Sequence, residues 1–362
     1  MDVAEVEEQE NKETKEPINK PEVSEQPNEN EESSRPSTDT TINKTASNII
    51  TKISTHETII QEPTKLEVCE AYNNLFLTYH SKTPEINTTN IQNALSQSEL
   101  LLNIASYYRS LPTVRLHVNN ILTQYGRELY QAIRQNPPRW LFLSIYLESG
   151  PIFKESLIHI VGNYPSWPWK TVPQSKLTPE VLAIIRTKVD ELQSVRAKVN
   201  EALFMSTLSV AGKEVALGVD NKDVLDTWCT VQLWRDWFCR ALNQAKASHP
   251  TTTTTFFDFD AAMYRTMAKG GDAYLPLANV KHWREEYGVT RLDCAKWTAE
   301  DLEEDLAIMK RYAQGVVQPL LENRSMLSVE EDGIGYFTCT KVGNDELPWA
   351  KKASSLTTPS LP

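Results

Sequence analysis

Six histidines and five cysteines are the residues through which this 362-residue chain could ligate a metal or move a proton, and their spacing limits what they can do. His159 lies in a strongly apolar run. Chemistry there needs partner groups converging on the imidazole, and with none near in sequence the reading is a hydrogen-bonded core histidine. His282 and Glu285 fall three residues apart on one helix face, a spacing that some metal sites use. One such pair supplies two ligands at most and no second pair exists, so a surface contact is expected. Asp258 and Asp260 alternate with Phe256, Phe257 and Phe259. Paired carboxylates serve acid–base chemistry or hold a divalent cation, but a cation loop needs further oxygens at regular spacing. Acids at a helix start beside aromatic anchors explain the piece instead. Gly270-Gly271-Asp272 and Gly333-Ile334-Gly335 lack the strand-before, helix-after setting and the lysine of phosphate loops, and read as turns. Cys69, Cys229, Cys239, Cys294 and Cys339 form no CxxC pair and no cluster with histidine. No catalytic, cofactor-binding or metal-binding residue is therefore assigned, and no cofactor is expected. Arg139 before Trp140, and Arg235-Asp236, stand inside apolar runs, where salt bridges that fix core register are expected. The competing use is recognition of an acidic partner peptide.

The elements that must position these residues are helices. Leu66, Cys69, Tyr72, Phe76 and Tyr79 recur at three- and four-residue spacing, one face of an amphipathic helix ended by Pro84. Further helices are predicted from about Thr89 to Arg109, through Val114 to Tyr125, and through Leu129 and Ile133 up to Pro137-Pro138. The stretch from Pro137 to Trp169 carries two short apolar helices, the second apolar almost all round, and closes with Ser-Trp-Pro-Trp. A short helix of that kind belongs in a core with neighbours on several sides. The longest helix starts near Thr178-Pro179-Glu180, where threonine can cap, proline suits the first turn and the acid suits the positive end. Its stripe from Ile185 to Leu203 is read as an intramolecular packing face rather than a coiled-coil seam. Trp228, Trp234, Trp237 and Phe238 load the next helix, from about Asp220 to Lys246, with enough aromatic surface to anchor a second core. Helices at 256–267, around 280–287 and 298–323 follow. The run Ile-Gly-Tyr-Phe-Thr-Cys-Thr-Lys-Val at 334–342 is β-branched and aromatic, so a strand or hairpin arm is predicted there.

The fold class is thus all-α: an irregular bundle of about ten helices in one or two packed subdomains, at 66–175 and 176–349, with a small C-terminal β element. Residues 1–62 hold 15 Asp and Glu against 6 Lys and Arg and no aromatic residue, and are read as a disordered acidic tail. Residues 350–362 are read as a second loose tail. Once the acidic stretch is set aside the remainder carries 33 acids against 31 bases, with no basic field to attract nucleic acid. No apolar run is long enough to span a membrane, and the setting expected is cytoplasmic or nuclear.

Residues 101–169, the helix at 178–209, Thr-Trp-Cys-Thr-Val-Gln-Leu-Trp-Arg-Asp-Trp-Phe at 227–238, Gly-Gly-Asp-Ala-Tyr-Leu-Pro at 270–276 and the segment 333–349 together resemble a family of fungal BTB/POZ domain proteins. The likeness is to the helical region that follows the BTB fold. A BTB fold is a mixed α/β module of about 100 residues with its own core, and residues 1–62 cannot build one, so that fold is expected to be missing. The dimerisation and cullin docking that the resemblance implies for the BTB fold do not carry over, since no position here matches it. The resulting reading is a non-enzymatic protein-interaction or scaffold module with a protein partner. The alternative is an enzyme or small-ligand-binding protein whose site is assembled from sequence-distant residues. Limited proteolysis is expected to remove residues 1 to about 60 and leave a resistant helical body; first cleavage between Pro137 and Trp169 would contradict the core assignment.

Overall fold

Proline opens helices along this chain rather than only ending them. In the computed structural model, which describes residues 63–170, 172–216, 224–247, 256–286 and 299–350, four helices carry proline in their first turn. Its missing N–H is no loss at that position and its fixed φ is already helical. Eleven α-helices are described: α1 (Lys65–Tyr79), α2 (Ile91–Tyr107), α3 (Leu111–Thr123), α4 (Arg127–Gln135), α5 (Pro137–Leu147), α6 (Gly150–Asn163), α7 (Pro179–Met205), α8 (Leu225–Ala247), α9 (Phe256–Lys269), α10 (Leu277–Glu286) and α11 (Ala299–Leu321). Side-chain caps fix several starts. Thr64 and Glu67 form a reciprocal capping box at α1, Asn90 accepts the Gln92 and Asn93 amides at α2, and Thr178 accepts the Val181 amide at α7. The all-α bundle expected from periodicity is the observed architecture. The stretches 1–62 and 351–362, read above as tails, lie outside the described residues.

Two hydrophobic cores are built from these helices, and both draw on α5 and α6. The first runs from Ala71 and Leu75 of α1 through Leu95, Leu102, Val118, Leu122 and Ile133 to Trp140 and Leu143 of α5. The second starts with Leu141 of α5 and Phe153, Leu157, Ile160 and Val161 of α6, and gathers the apolar faces of α7, α8, α9 and α11. Successive residues of α5 and α6 thus serve opposite cores. Of the twelve positions of α6 from Ile152 to Asn163, all but Lys154 are buried. The described residues all fall within one compact unit, Asn48–Pro362. Among them no helix is long and apolar enough to cross a membrane.

The β element is not where the sequence pattern puts it. Its two strands are β1 (Ser209–Val210) and β2 (Lys213–Glu214), an antiparallel pair joined by Ala211 and Gly212, both at positive φ as a primed two-residue turn requires. Residues 334–342, predicted as a strand, instead run as a strap without ladder pairing across α6 and α9. The reason lies in where its carbonyls go. Arg265 of α9 donates to Ile334 O (2.6 Å) and Tyr336 O (2.7 Å), and Arg134 of α4 donates to Gly333 O (2.9 Å) and to Asp332 O. Guanidinium groups from two helices satisfy the acceptors that a neighbouring strand would otherwise take. Ile334, Tyr336, Phe337, Thr338 and Thr340 are nevertheless buried, which is the half-apolar pattern that imitates a strand.

The strap approaches α6 so closely that only glycine fits beneath it. A Cβ at Gly162 would lie 2.5 Å from Phe337 O and would collide with the Tyr336 ring. Gly162→Ala is expected to destabilise the chain by about 2–3 kcal/mol as the strap lifts. Gly315→Ala, mid-helix in α11 with nothing within 4 Å of the added carbon, is expected to stabilise by about 0.5–1 kcal/mol. Thermal melts of the two variants check this, and equal small effects would show that the contact does not constrain the fold.

Candidate functional site

The strap brings together a constellation of catalytic residue types that the sequence did not assemble. His159 Nε2 lies 3.1 Å from Glu155 Oε1, one helical turn earlier on α6, and His159 Nδ1 lies 2.7 Å from the Tyr336 hydroxyl. Glu155 also accepts from Ser325 Oγ at 2.6 Å and from the Met326 amide at 3.0 Å, and Asn163 Nδ2 donates to His159 O. A glutamate, a histidine and a tyrosine in series are the residue types of a proton relay. Accessibility decides otherwise: the His159 side chain is 0% exposed and that of Glu155 2%. No reacting atom can reach them from solvent, so the arrangement serves as a polar clasp that pins the strap to α6.

The other candidates are dispersed. His282 Nε2 stands 3.6 Å from Glu286 Oε2, and both side chains are open to solvent. The side chains of Glu285, Asp258 and Asp260, and Cys294 as a whole, lie outside the described residues. Among the described residues no group of three or more His, Cys, Asp or Glu could hold a metal. Cys69, Cys239 and Cys339 are free thiols, and burial pushes that of Cys339 up to about 11, away from nucleophilic use. Arg139 makes a bidentate pair with Glu99 of α2, at 2.7 and 2.5 Å. Burial opposes its charge, but the carboxylate outweighs burial and holds the guanidinium above its usual pKa. Arg235 does not pair with Asp236 as expected. It donates to Phe204 O and Ser206 O, closing the C-terminus of α7, while Asp236 faces solvent.

The glycine pair at 270–271 is a turn organised from a distance. Lys310 of α11 is buried, donates to Gly271 O (2.7 Å) and Leu275 O (2.9 Å), and sits 5.5 Å from the centre of the Tyr274 ring. Burial lowers its pKa, with Asp272 partly offsetting the effect. The Tyr274 ring stacks on Trp237 at 4.7 Å and meets Trp234 at 5.7 Å, and Trp234 Nε1 donates to Leu203 O. This hub fixes the packing of α8 and α11 and leaves α11 with a solvent face. On that face Glu300, Asp301, Glu303 and Glu304 are exposed near the N-terminus. Ile308 (44% exposed) and Tyr312 (49%) follow one turn apart, and Gly315, with no atom within 4 Å of a Cβ, continues the row.

Residues 212–319, from the β1–β2 turn to the last turn of α11, match the family model of the fungal FF domain. The match spans under a third of the chain, and an FF domain is a protein-interaction module. No curated protein matches the chain, and no solved structure does. The match overturns the resemblance to the region following a BTB fold. Segments quoted for that likeness, 227–238 and 270–276, fall inside the FF-matched stretch, where they build α8 and the turn around Lys310. A helix rich in tryptophan and a Gly-Gly turn before a helix are packing features that unrelated helical families share.

Two carboxylates on the C-terminal segment give this arrangement a pH dependence. Hydrogen bonds from Gln131 and then Arg127, against some burial, hold Asp332 below the usual carboxylate range. Burial pushes Glu346 up, but Lys188, the Gly343 amide and the charge of Lys154 outweigh it and leave a net depression. Such groups stabilise the folded state fully above the unfolded carboxyl value, about 4, and lose that contribution as pH falls through their depressed folded values. Asp332→Asn is therefore expected to lower the melting temperature at pH 7 and to narrow its distance from wild type below pH 4, a window set by the unfolded value of about 4. Parallel pH–melting curves would show that Asp332 does not anchor the segment. Glu155→Ala, which strands Ser325 Oγ, the Met326 amide and His159 together, is expected to cost about 3 kcal/mol in denaturant unfolding.

Proposed function

We propose that this chain is a non-enzymatic protein-interaction or scaffold module, and that its FF-matched region engages a protein partner through the outer face of α11. One observation carries the reading: within a stretch matching an interaction-module family, a helix held rigidly on its inner side shows Ile308 and Tyr312 to solvent beside four acids. The acids also complement the positive end of the α11 dipole, which accounts for their place on the helix. It does not account for a half-exposed isoleucine and tyrosine one turn further on. Tyrosine and aliphatic anchors ringed by charge are the ordinary composition of contact surfaces, and the acidic run selects a basic segment on the partner. The clasp at His159 supports the non-enzymatic part of the reading, because the residue types suited to proton transfer are spent on holding the strap.

The test uses the full chain. Partners are identified by proximity labelling, and the affinity of a recovered partner is then measured for wild type and for Ile308→Asp and Tyr312→Glu. Both side chains are exposed, so melting temperatures should shift by no more than about 2 °C. Binding is expected to weaken by about tenfold or more. Unchanged affinity in both variants would remove α11 as the contact, and a turnover retained by the purified chain on any recovered small molecule would remove the non-enzymatic reading.

A further inference from the structure

A second exposed surface lies outside the FF-matched stretch, where α1 and α2 end side by side. Phe76, Tyr79, Tyr107 and Tyr108 are each about half exposed. Their rings form two groups: Phe76 and Tyr79 lie 6.4 Å apart, and Tyr107 meets Tyr108 edge-on at 5.3 Å while Tyr108 leans on the half-buried Tyr72 at 6.1 Å. The Tyr79 hydroxyl is hydrogen-bonded to Ser110 Oγ, which ties the end of α1 to the α2–α3 turn. Scattered apolar residues on a surface need no explanation, but two pairs of touching aromatic side chains in water, on helix ends tied together, mark a contact site.

Two exposed cations, Lys82 and Arg109, border these rings, with His80 beside them. Neither residues 71–84 nor residues 100–127 contain an Asp or Glu. Arg115, Arg127 and Arg139 nearby in sequence are each paired with a carboxylate, whereas these three groups are in no ion pair among the described residues. The edge is also held still. Ser81 and Arg109 take left-handed φ values of 57° and 54°. The following amides, Lys82 N and Ser110 N, reach back to Leu77 O and Ala105 O at 2.9 and 2.7 Å. These are closed helix ends that fix where the flanking side chains start. A cation in a left-handed position costs about 1 kcal/mol relative to glycine, so the charge at Arg109 is kept against a backbone penalty.

We propose that this surface docks an acidic, proline-bearing extended segment of a partner protein. Rings of tyrosine and phenylalanine with centres 5.3 and 6.4 Å apart can receive proline rings, since a polyproline II strand advances about 3.1 Å per residue and arrives with little conformational entropy to lose. Tyrosine hydroxyls at the patch can donate to the carbonyls that such a strand leaves free. The unpaired cations select acids along the strand and hasten encounter. A second copy of this chain fits less well, because a two-fold contact would set the cations Lys82 and Arg109 against their own copies.

The experiment titrates the full chain against a labelled peptide of about 12 residues alternating Glu and Pro, long enough for several polyproline turns, and reads fluorescence anisotropy. Lys-Pro and Glu-Ser peptides of the same length serve as comparisons. The Glu-Pro peptide is expected to bind, with each comparison weaker by about tenfold or more. Its binding should weaken several-fold when salt rises from about 50 to about 300 mM. Tyr107→Ala is expected to reduce binding by a similar factor to the peptide swap. Arg109→Gly removes the charge while relieving the backbone, so weaker binding with an undiminished melting temperature separates recognition from unfolding. Absence of saturable binding, equal binding of Glu-Pro and Lys-Pro peptides, or indifference to both substitutions overturns the proposal, as does a concentration-dependent dimer that Tyr107→Ala abolishes.

Discussion

Helix α6 has almost no face left for water, and that constraint shapes the rest of the molecule. Its apolar residues point in nearly every direction, so the helix is stable only when both cores and the C-terminal strap cover it together. Each large side chain so covered contributes about 1.5–3 kcal/mol relative to exposure, and the strap alone brings Tyr336 and Phe337. The polar clasp of Glu155, His159, Tyr336 and Ser325 does not replace that burial. It specifies which strap residue sits over which turn of α6, because a shift of one residue would leave a buried carboxylate and imidazole without partners.

From this follows a division of labour between the inside and the outside. Glu155 and His159 are sealed, Arg139 is paired with Glu99, and Arg134, Arg235 and Arg265 hold loops in place through backbone carbonyls. The surfaces proposed above for contact are the outer face of α11 within the FF-matched stretch and the exposed aromatic ends of α1 and α2 outside it. The two differ in charge, acidic on α11 and cationic beside Tyr107, which suits partners of opposite kinds.

Much of the fold was legible because it is local. Apolar spacing of 3.6 residues located the helices, and Thr178-Pro179-Glu180 marked a helix start from three residues alone. The strap was not legible. Ile334 to Val342 carries the composition of a strand, but what decides between strand and strap is the partner of each carbonyl, and those partners, Arg134 and Arg265, stand about 200 and 70 residues away in sequence. The clasp was half legible. Glu155 precedes His159 by four residues, a spacing that any helix reading brings onto one face, whereas Tyr336 lies 177 residues on. Leu66, Cys69, Phe76 and Tyr79, read as one face of an amphipathic helix, are exposed, and α1 instead buries Ala71, Asn74, Leu75 and Thr78, because periodicity identifies a face without saying whether neighbours cover it.

Native-state hydrogen exchange on the full chain tests the central claim most directly. If the strap and α6 form one cooperative unit, the amides of Met326 and Ile334, which bond to Glu155 and to Val329 O, should exchange with the same opening free energy as those at the centre of α6. Rapid exchange at Met326 and Ile334, with α6 still protected to the level of global unfolding, would show that the strap is an accessory and that α6 does not need it.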